Sequence, residues 1–311
     1  MKLTALATLT LFTASVPHSL ARDDTTPATT PDDAPPRLSA EVTFGGVHRF
    51  RADIDDGGRV AVSSAAADLK LNYRATDRVF LAAGLRYGFS EYDFSGSTGF
   101  GGLDPWDQIH TARLNLTAVY RADEHWSYFA GPSAAFSGES DADFEDGLTF
   151  GGAAGATYTW DERTFLGFGL IVTSQIEEDL AVFPIVRFSL PLSESVTLRS
   201  AALELGAAGG AGAEIAWKPD DQWTLAAGAQ WLTSRFRLDP TGPQPDGVGE
   251  DRGIPVFLRA SWTPSRRASV TLFGGVLVGG TLRLDDSDGN EFAVQDVDPA
   301  PFIGAAVDLR Y

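Results

Sequence analysis

No cysteine occurs anywhere in the 311 residues. That excludes disulfide stapling, thiolate metal sites and a cysteine nucleophile. Methionine is confined to the initiator, and there are only four histidines. His48, His110 and His125 stand alone, without a paired-histidine spacing, a serine elbow or a phosphate-binding glycine loop. No catalytic residue, cofactor site or metal site is therefore assigned, and the chain is not expected to be an enzyme. Basic charge is scarce: 24 Lys and Arg face 42 Asp and Glu, leaving a net charge of −18. Such a chain repels nucleic-acid backbones. Beyond Ala21 no apolar run is long enough for a membrane helix, which needs about 20 residues.

What is present divides into three stretches. Residues 1–21 read as a secretory signal. Lys2 supplies the positive start, Leu3 to Val16 an apolar run too short to span, and Ser19 and Ala21 the small residues of a cleavage site. Residues 22–37, RDDTTPATTPDDAPPR, hold four prolines and no large apolar side chain. They cannot bury enough surface to offset the entropy of ordering, and form the expected disordered linker. Residues 38–311 form the third stretch.

There the dominant period is two. In Ala67 to Arg74 the odd positions are apolar and the even ones polar or charged. Ala112 to Tyr120 and Trp223 to Trp231 repeat the pattern. Residues two apart share one face of a strand. About 14 such strands can be counted, or 12 if the ninth and tenth merge around 206–210. Short polar turns at 74–77, 121–124, 160–163, 191–194, 218–221 and 264–267 alternate with long loops at 90–108, 137–146, 239–253 and 285–298. Short on one side and long on the other fits a transmembrane barrel, and a packed sandwich has no reason to alternate so. Trp126, Trp160, Trp217, Trp223 and Trp262 lie beside short turns, as do Tyr73 and Tyr120. Together with the terminal Tyr311 they make an expected aromatic girdle on the periplasmic rim, where rings are buried and polar tips stay wet. The predicted fold is therefore all-β: a single antiparallel transmembrane β-barrel.

The chain ends in Gly304, Val307, Leu309 and Tyr311, alternating apolar residues closed by an aromatic. This ending resembles the assembly signal of bacterial outer-membrane β-barrels, including the barrel families known only as domains of unknown function. The resemblance implies the outer membrane as location, and lipid and the barrel-assembly machinery as partners. It also implies closure of the last strand on the first.

On the polar face, the candidate lumen-lining acids are Asp68, Glu204, Glu214 and Asp308. The candidate bases are Lys70, Arg86, Arg113, Arg187, Arg199, Arg259 and Arg310. They read either as an ion-paired interior or as a selectivity ladder. Fourteen strands fall between filled barrels of about eight and open ones of about 16. The expected function is a passive, porin-like pore for small solutes, which an inward-folded loop could plug. The alternatives are a non-conducting structural, receptor or adhesion barrel, and then a lipid-modifying enzyme at the rim. Acidic clusters at 139–146, 177–179 and 285–291 read as solvated surface that could take divalent cations.

Overall fold

The computed structural model describes residues 37–201 and 211–311. The signal segment, the linker up to residue 36, Glu204 and the 206–210 connection lie outside the described residues. The chain runs upward and downward through β1 (Leu38–Asp53), β2 (Arg59–Arg74), β3 (Val79–Ser95), a five-residue helix α1 (Gly99–Leu103), β4 (Gln108–Arg121) and β5 (Trp126–Glu139). It continues through β6 (Leu148–Asp161), β7 (Thr164–Gln175), β8 (Glu178–Pro191), β9 (Val196–Ser200) and β10 (Gly212–Trp217). Last come β11 (Trp223–Gln230), β12 (Leu232–Arg237), β13 (Val248–Ser265), β14 (Ala268–Asp285), β15 (Glu291–Val297) and β16 (Ala300–Arg310).

Neighbours in sequence pair antiparallel, and β16 closes on β1 with Val42 opposite Leu309 and Phe44 opposite Val307. β11 and β12 are two parts of one strand, as are β15 and β16, so the described residues make a closed barrel of 14 strands. β9 and β10 pair with each other from Val196–Trp217 to Ser200–Ala213. They are thus two strands, and the count of 12 is corrected.

Alternation in sequence becomes alternation of faces. Leu85 and Tyr87 point outward from β3, while Arg86 between them and Asp68 on β2 form an interior ion pair. Leu258, 68% exposed, sits beside the inward Arg259. Large apolar side chains cover the outside of every long strand, the inverse of a soluble protein. No helix among the described residues is long and apolar enough to cross a membrane.

The short turns carry their own caps. Asp123 Oδ1 accepts the backbone N–H groups of His125 and Trp126, and Asp220 Oδ1 those of Gln222 and Trp223. Thr76 and Ser193 do the same with hydroxyls at the 75–78 and 192–195 turns. These side chains replace the ladder bonds lost where a strand reverses. The backbone donors hold the Asp123 carboxyl below the usual carboxylate range.

The opposite end departs from the sequence reading. The 239–253 and 285–298 stretches are not simple loops: β13 begins at Val248, and β15 fills Glu291–Val297. The 90–108 stretch holds the end of β3 and helix α1. Two connections on this side are tight, a two-residue turn at Ile176–Glu177 and a turn at Asp55–Gly58.

Candidate functional site: the lumen and its mouth

Above the membrane-spanning part, β12, β13, β14 and β15 continue as a four-stranded sheet. It bends where β13 shifts register between Arg252 and Ile254, opposite Gly279 of β14, which has φ +59°. β12 pairs along β13 from Leu232–Gly253 to Arg237–Val248. Its end forms a bridge to β5 at Gly138. β5 and β13 are seven strands apart around the ring of 14, so they face each other across the barrel. β12 therefore spans the mouth.

The mouth sheet is held by an apolar core and by ion pairs. Phe236, fully buried, packs on Trp106 and Tyr92 at ring distances of 5.3 and 6.2 Å. Phe100 of α1, Leu282, Leu284, Val60 and Val297 belong to the same core. Arg235 lies 2.9 Å from Asp285 and 3.4 Å from Glu250, and its Nε donates to the Ile176 carbonyl. Arg237 pairs with Glu177. Asp251 receives both guanidinium nitrogens of Arg49 at 3.3 and 2.9 Å, and the Tyr92 hydroxyl at 3.0 Å. Glu139 Oε1 and Oε2 accept the backbone N–H groups of Asp107 and Asp239, tying two loops to β5. Burial pushes the Glu139 and Glu250 carboxyls up.

Several acids assigned to solvated loops thus have structural work. Asp285 has no exposure and takes Arg235 and Arg283, while Glu177 and Glu178 also face arginines. Glu139 is buried. For Asp285 and Glu139 this corrects the reading as surface charge, while Glu177 and Glu178 stay exposed as they pair. Among the described residues no three carboxylate or imidazole groups converge as a metal site would require.

Below the mouth, the interior charges fall into groups. Glu214 is enclosed by Arg199 at 2.7 Å and Arg259 at 2.9 and 2.5 Å. Asp308 accepts the hydroxyls of Thr43 and Ser269. Arg310 donates to Glu41 at 3.2 Å near the short-turn rim. Asp68, Arg86 and Arg113 are register partners on β2, β3 and β4. Lys70 lies opposite Gly84 in the same β2–β3 ladder, and Arg187 opposite Gly167 between β7 and β8. Arg86 and Arg113 line a cleft of about 900 Å³, counting its open side, between β12 and the β3–β7 wall. A second cleft, about 610 Å³, lies on the other side of the mouth sheet beside Arg49, Ser64, Ser90 and Asp251.

At the short-turn rim, Trp223 and Trp262 are register partners stacked at 6.4 Å, and Trp126 packs on Tyr158. Tyr73, Tyr120, Trp160, Trp217 and Tyr311 are exposed there. Sequence reading missed Tyr128 and Tyr158 in the same band, although both alternate with the tryptophans it chose. Gly304 lets the ring of Phe273 lie against its backbone, where a Cβ would collide with it. Val307 and Leu309 face outward, paired to Phe44 and Val42. His110 sits on the outer face between the Tyr87 hydroxyl at 2.7 Å and Ser140 Oγ at 3.1 Å. His48 bonds Ser63, and His125 bonds the Thr159 carbonyl.

These features define an antiparallel β-barrel with an apolar outside and a partly occluded polar lumen. No protein-family model matches the chain, and no curated protein matches it in sequence. Solved structures share the shape at low similarity. A FadL homologue from Pseudomonas aeruginosa aligns over 88% of this chain and 89% of its own, with 13% identity and a TM-score of 0.45. An outer membrane channel from Pseudomonas putida F1 aligns over 91% and 100%, with 14% identity and a TM-score of 0.46. The P. putida toluene transporter TodX aligns over 89% and 90%, with 12% identity and a TM-score of 0.43. At these values the likeness assigns neither family nor substrate.

Proposed function

We propose that this chain is a bacterial outer-membrane channel for small solutes, narrowed at its outer mouth by the sheet of β12–β15. The observation that carries it is the crossing of the mouth by β12 with a cleft on each face. The wall encloses a polar interior, and the crossing strand divides the entrance without filling it. The apolar outer belt and the aromatic rim support placement in a bilayer. A hydrophilic wall around a constriction of this kind selects by size and charge.

Planar-bilayer recording tests the reading. The wild type should give small conductance steps. Phe236→Ala removes a fully buried ring from the core of the mouth sheet, a loss of about 3–5 kcal/mol. Larger or noisier steps should follow. If neither protein conducts at any voltage, the channel reading fails, and a receptor or structural barrel takes its place.

A further inference from the structure

We propose that the barrel passes small anions in preference to cations, although the chain as a whole is acidic. The inference deepens the channel reading and rests on it.

The chain and its lumen carry charge of opposite sign. The full sequence has a net charge of −18. Much of that charge lies at the two ends of the barrel. Asp141, Asp143 and Asp288 are exposed in the outer loops, and Glu124, Glu162 and Asp221 in the short turns. Inside the wall the balance reverses. Between the mouth and the short-turn rim, six bases point inward among the described residues: Lys70, Arg86, Arg113, Arg187, Arg199 and Arg259. They alternate with outward side chains, as Lys70 does with Leu69 and Leu71, and Arg86 with Leu85 and Tyr87. Three acids accompany them, Asp68, Glu214 and Asp308. The excess among these nine residues is three positive charges.

Pairing does not remove this excess. All six bases are engaged by neighbours, and Arg199 and Arg259 share the single carboxylate of Glu214. An ion pair contributes nothing to the sum, but three carboxylates cannot neutralise six bases. At the rim, Arg310 and Glu41 answer each other. In the mouth sheet, Arg49 faces Asp251, Arg235 faces Asp285, Arg237 faces Glu177 and Arg252 faces Glu250. These levels add little of either sign.

The excess sits where ions must pass. β3 and β10 are seven strands apart in the ring of 14, so they oppose each other across the lumen. Lys70, Arg86 and Arg113 stand with Asp68 on β2 to β4. Arg187, Arg199 and Arg259 stand with Glu214 on β8, β9, β13 and β10. Each group holds three bases and one acid, so an ion crosses between two positive faces. Asp308 lies apart on β16, where the Thr43 and Ser269 hydroxyls donate to it. Arg86 and Arg113 also line the entrance cleft beside β12. Acids on the outer loops act through bulk water and are screened within about 8 Å at physiological salt. Charges on a narrow wall backed by hydrocarbon focus their field along the path. The wall therefore sets the sign of the preferred ion.

The test is the reversal potential of the full chain in a planar bilayer under a potassium chloride gradient. Chloride should be preferred over potassium by about threefold or more, the effect of one unit charge about 6 Å from the path in water. Lys70→Gln should lower the ratio and Asp308→Asn should raise it, each by up to about threefold. Asp308→Asn keeps the side-chain shape and carries the test if Lys70→Gln does not refold. A chloride-to-potassium ratio at or below one, or a ratio that neither substitution moves, would overturn the inference and leave the channel. Absence of conductance removes the channel reading and the inference with it.

Discussion

Glu214 shows what a single interior residue does in this barrel. Its carboxylate, almost wholly buried, sits between Arg199 of the adjacent β9 and Arg259 of β13, which reaches it past β11. Charges in such a place are kept by mutual pairing, and removing one partner strands the others. Glu214→Ala should lower stability by about 3 kcal/mol, read as a shifted denaturant midpoint for the refolded barrel. An unchanged midpoint would mean that water already satisfies both arginines. Glu250 behaves differently, because its site lies in the mouth sheet. Burial raises its carboxyl above the usual range against the pull of Arg252, Arg235 and Arg283. The folded sheet then takes up a proton more readily than the unfolded chain. Its contribution is fully present below the ordinary carboxylate value and is lost as pH rises through the raised one. Hydrogen-exchange protection of β12 and β13, corrected for intrinsic rates, should increase as pH falls through that window. Glu250→Gln should flatten the increase.

At the scale of elements, the mouth sheet depends on one bend. Gly279 holds φ +59° with open space around the position of a Cβ, so only backbone strain disfavours a side chain. Gly279→Ala should cost about 1 kcal/mol and Gly279→Val more, while Gly279→Asn should cost less because asparagine tolerates this conformation. Proteolytic nicking of residues 239–253 should rank in that order. Equal nicking in all three would show that the bend needs no glycine. This sheet is also where sequence reading stopped. The wall strands were legible because each has one apolar and one polar face. Leu232-Thr233-Ser234-Arg235-Phe236-Arg237 shows the same alternation, yet it leaves the wall and is almost wholly buried. Period alone cannot say whether the polar face meets water or a partner arginine or carboxylate. Acid-rich composition likewise made Asp285 look solvated, although Arg235 and Arg283 hold it without exposure. One signal was available. Of seven tryptophans, Trp106 and Trp231 lay away from the short-turn rim, and Trp106 proves to be in the mouth core. The cleft was half visible: Arg86 and Arg113 belong to the polar face that the sequence shows, whereas the far wall of the cleft exists only because β12 crosses the barrel.

For the whole molecule, the determining fact is which solvent touches which face. The strands expose leucine, valine and aromatic side chains on the outside and enclose arginine, glutamate and serine. That arrangement is favourable only if hydrocarbon surrounds the wall. It also explains how a chain without cysteine and with so strong a negative charge remains stable: every wall strand bonds to two neighbours, and the ring has no edge. The absence of cysteine makes a direct measurement available. Single thiols at Leu272→Cys, facing outward, and Thr271→Cys, facing inward, can carry a fluorophore in reconstituted vesicles. Brominated lipid should quench the probe at 272 strongly and the probe at 271 weakly, while a water-soluble quencher should show the opposite order. Equal quenching of the two by the water-soluble agent, with no effect of brominated lipid on either, would contradict the account.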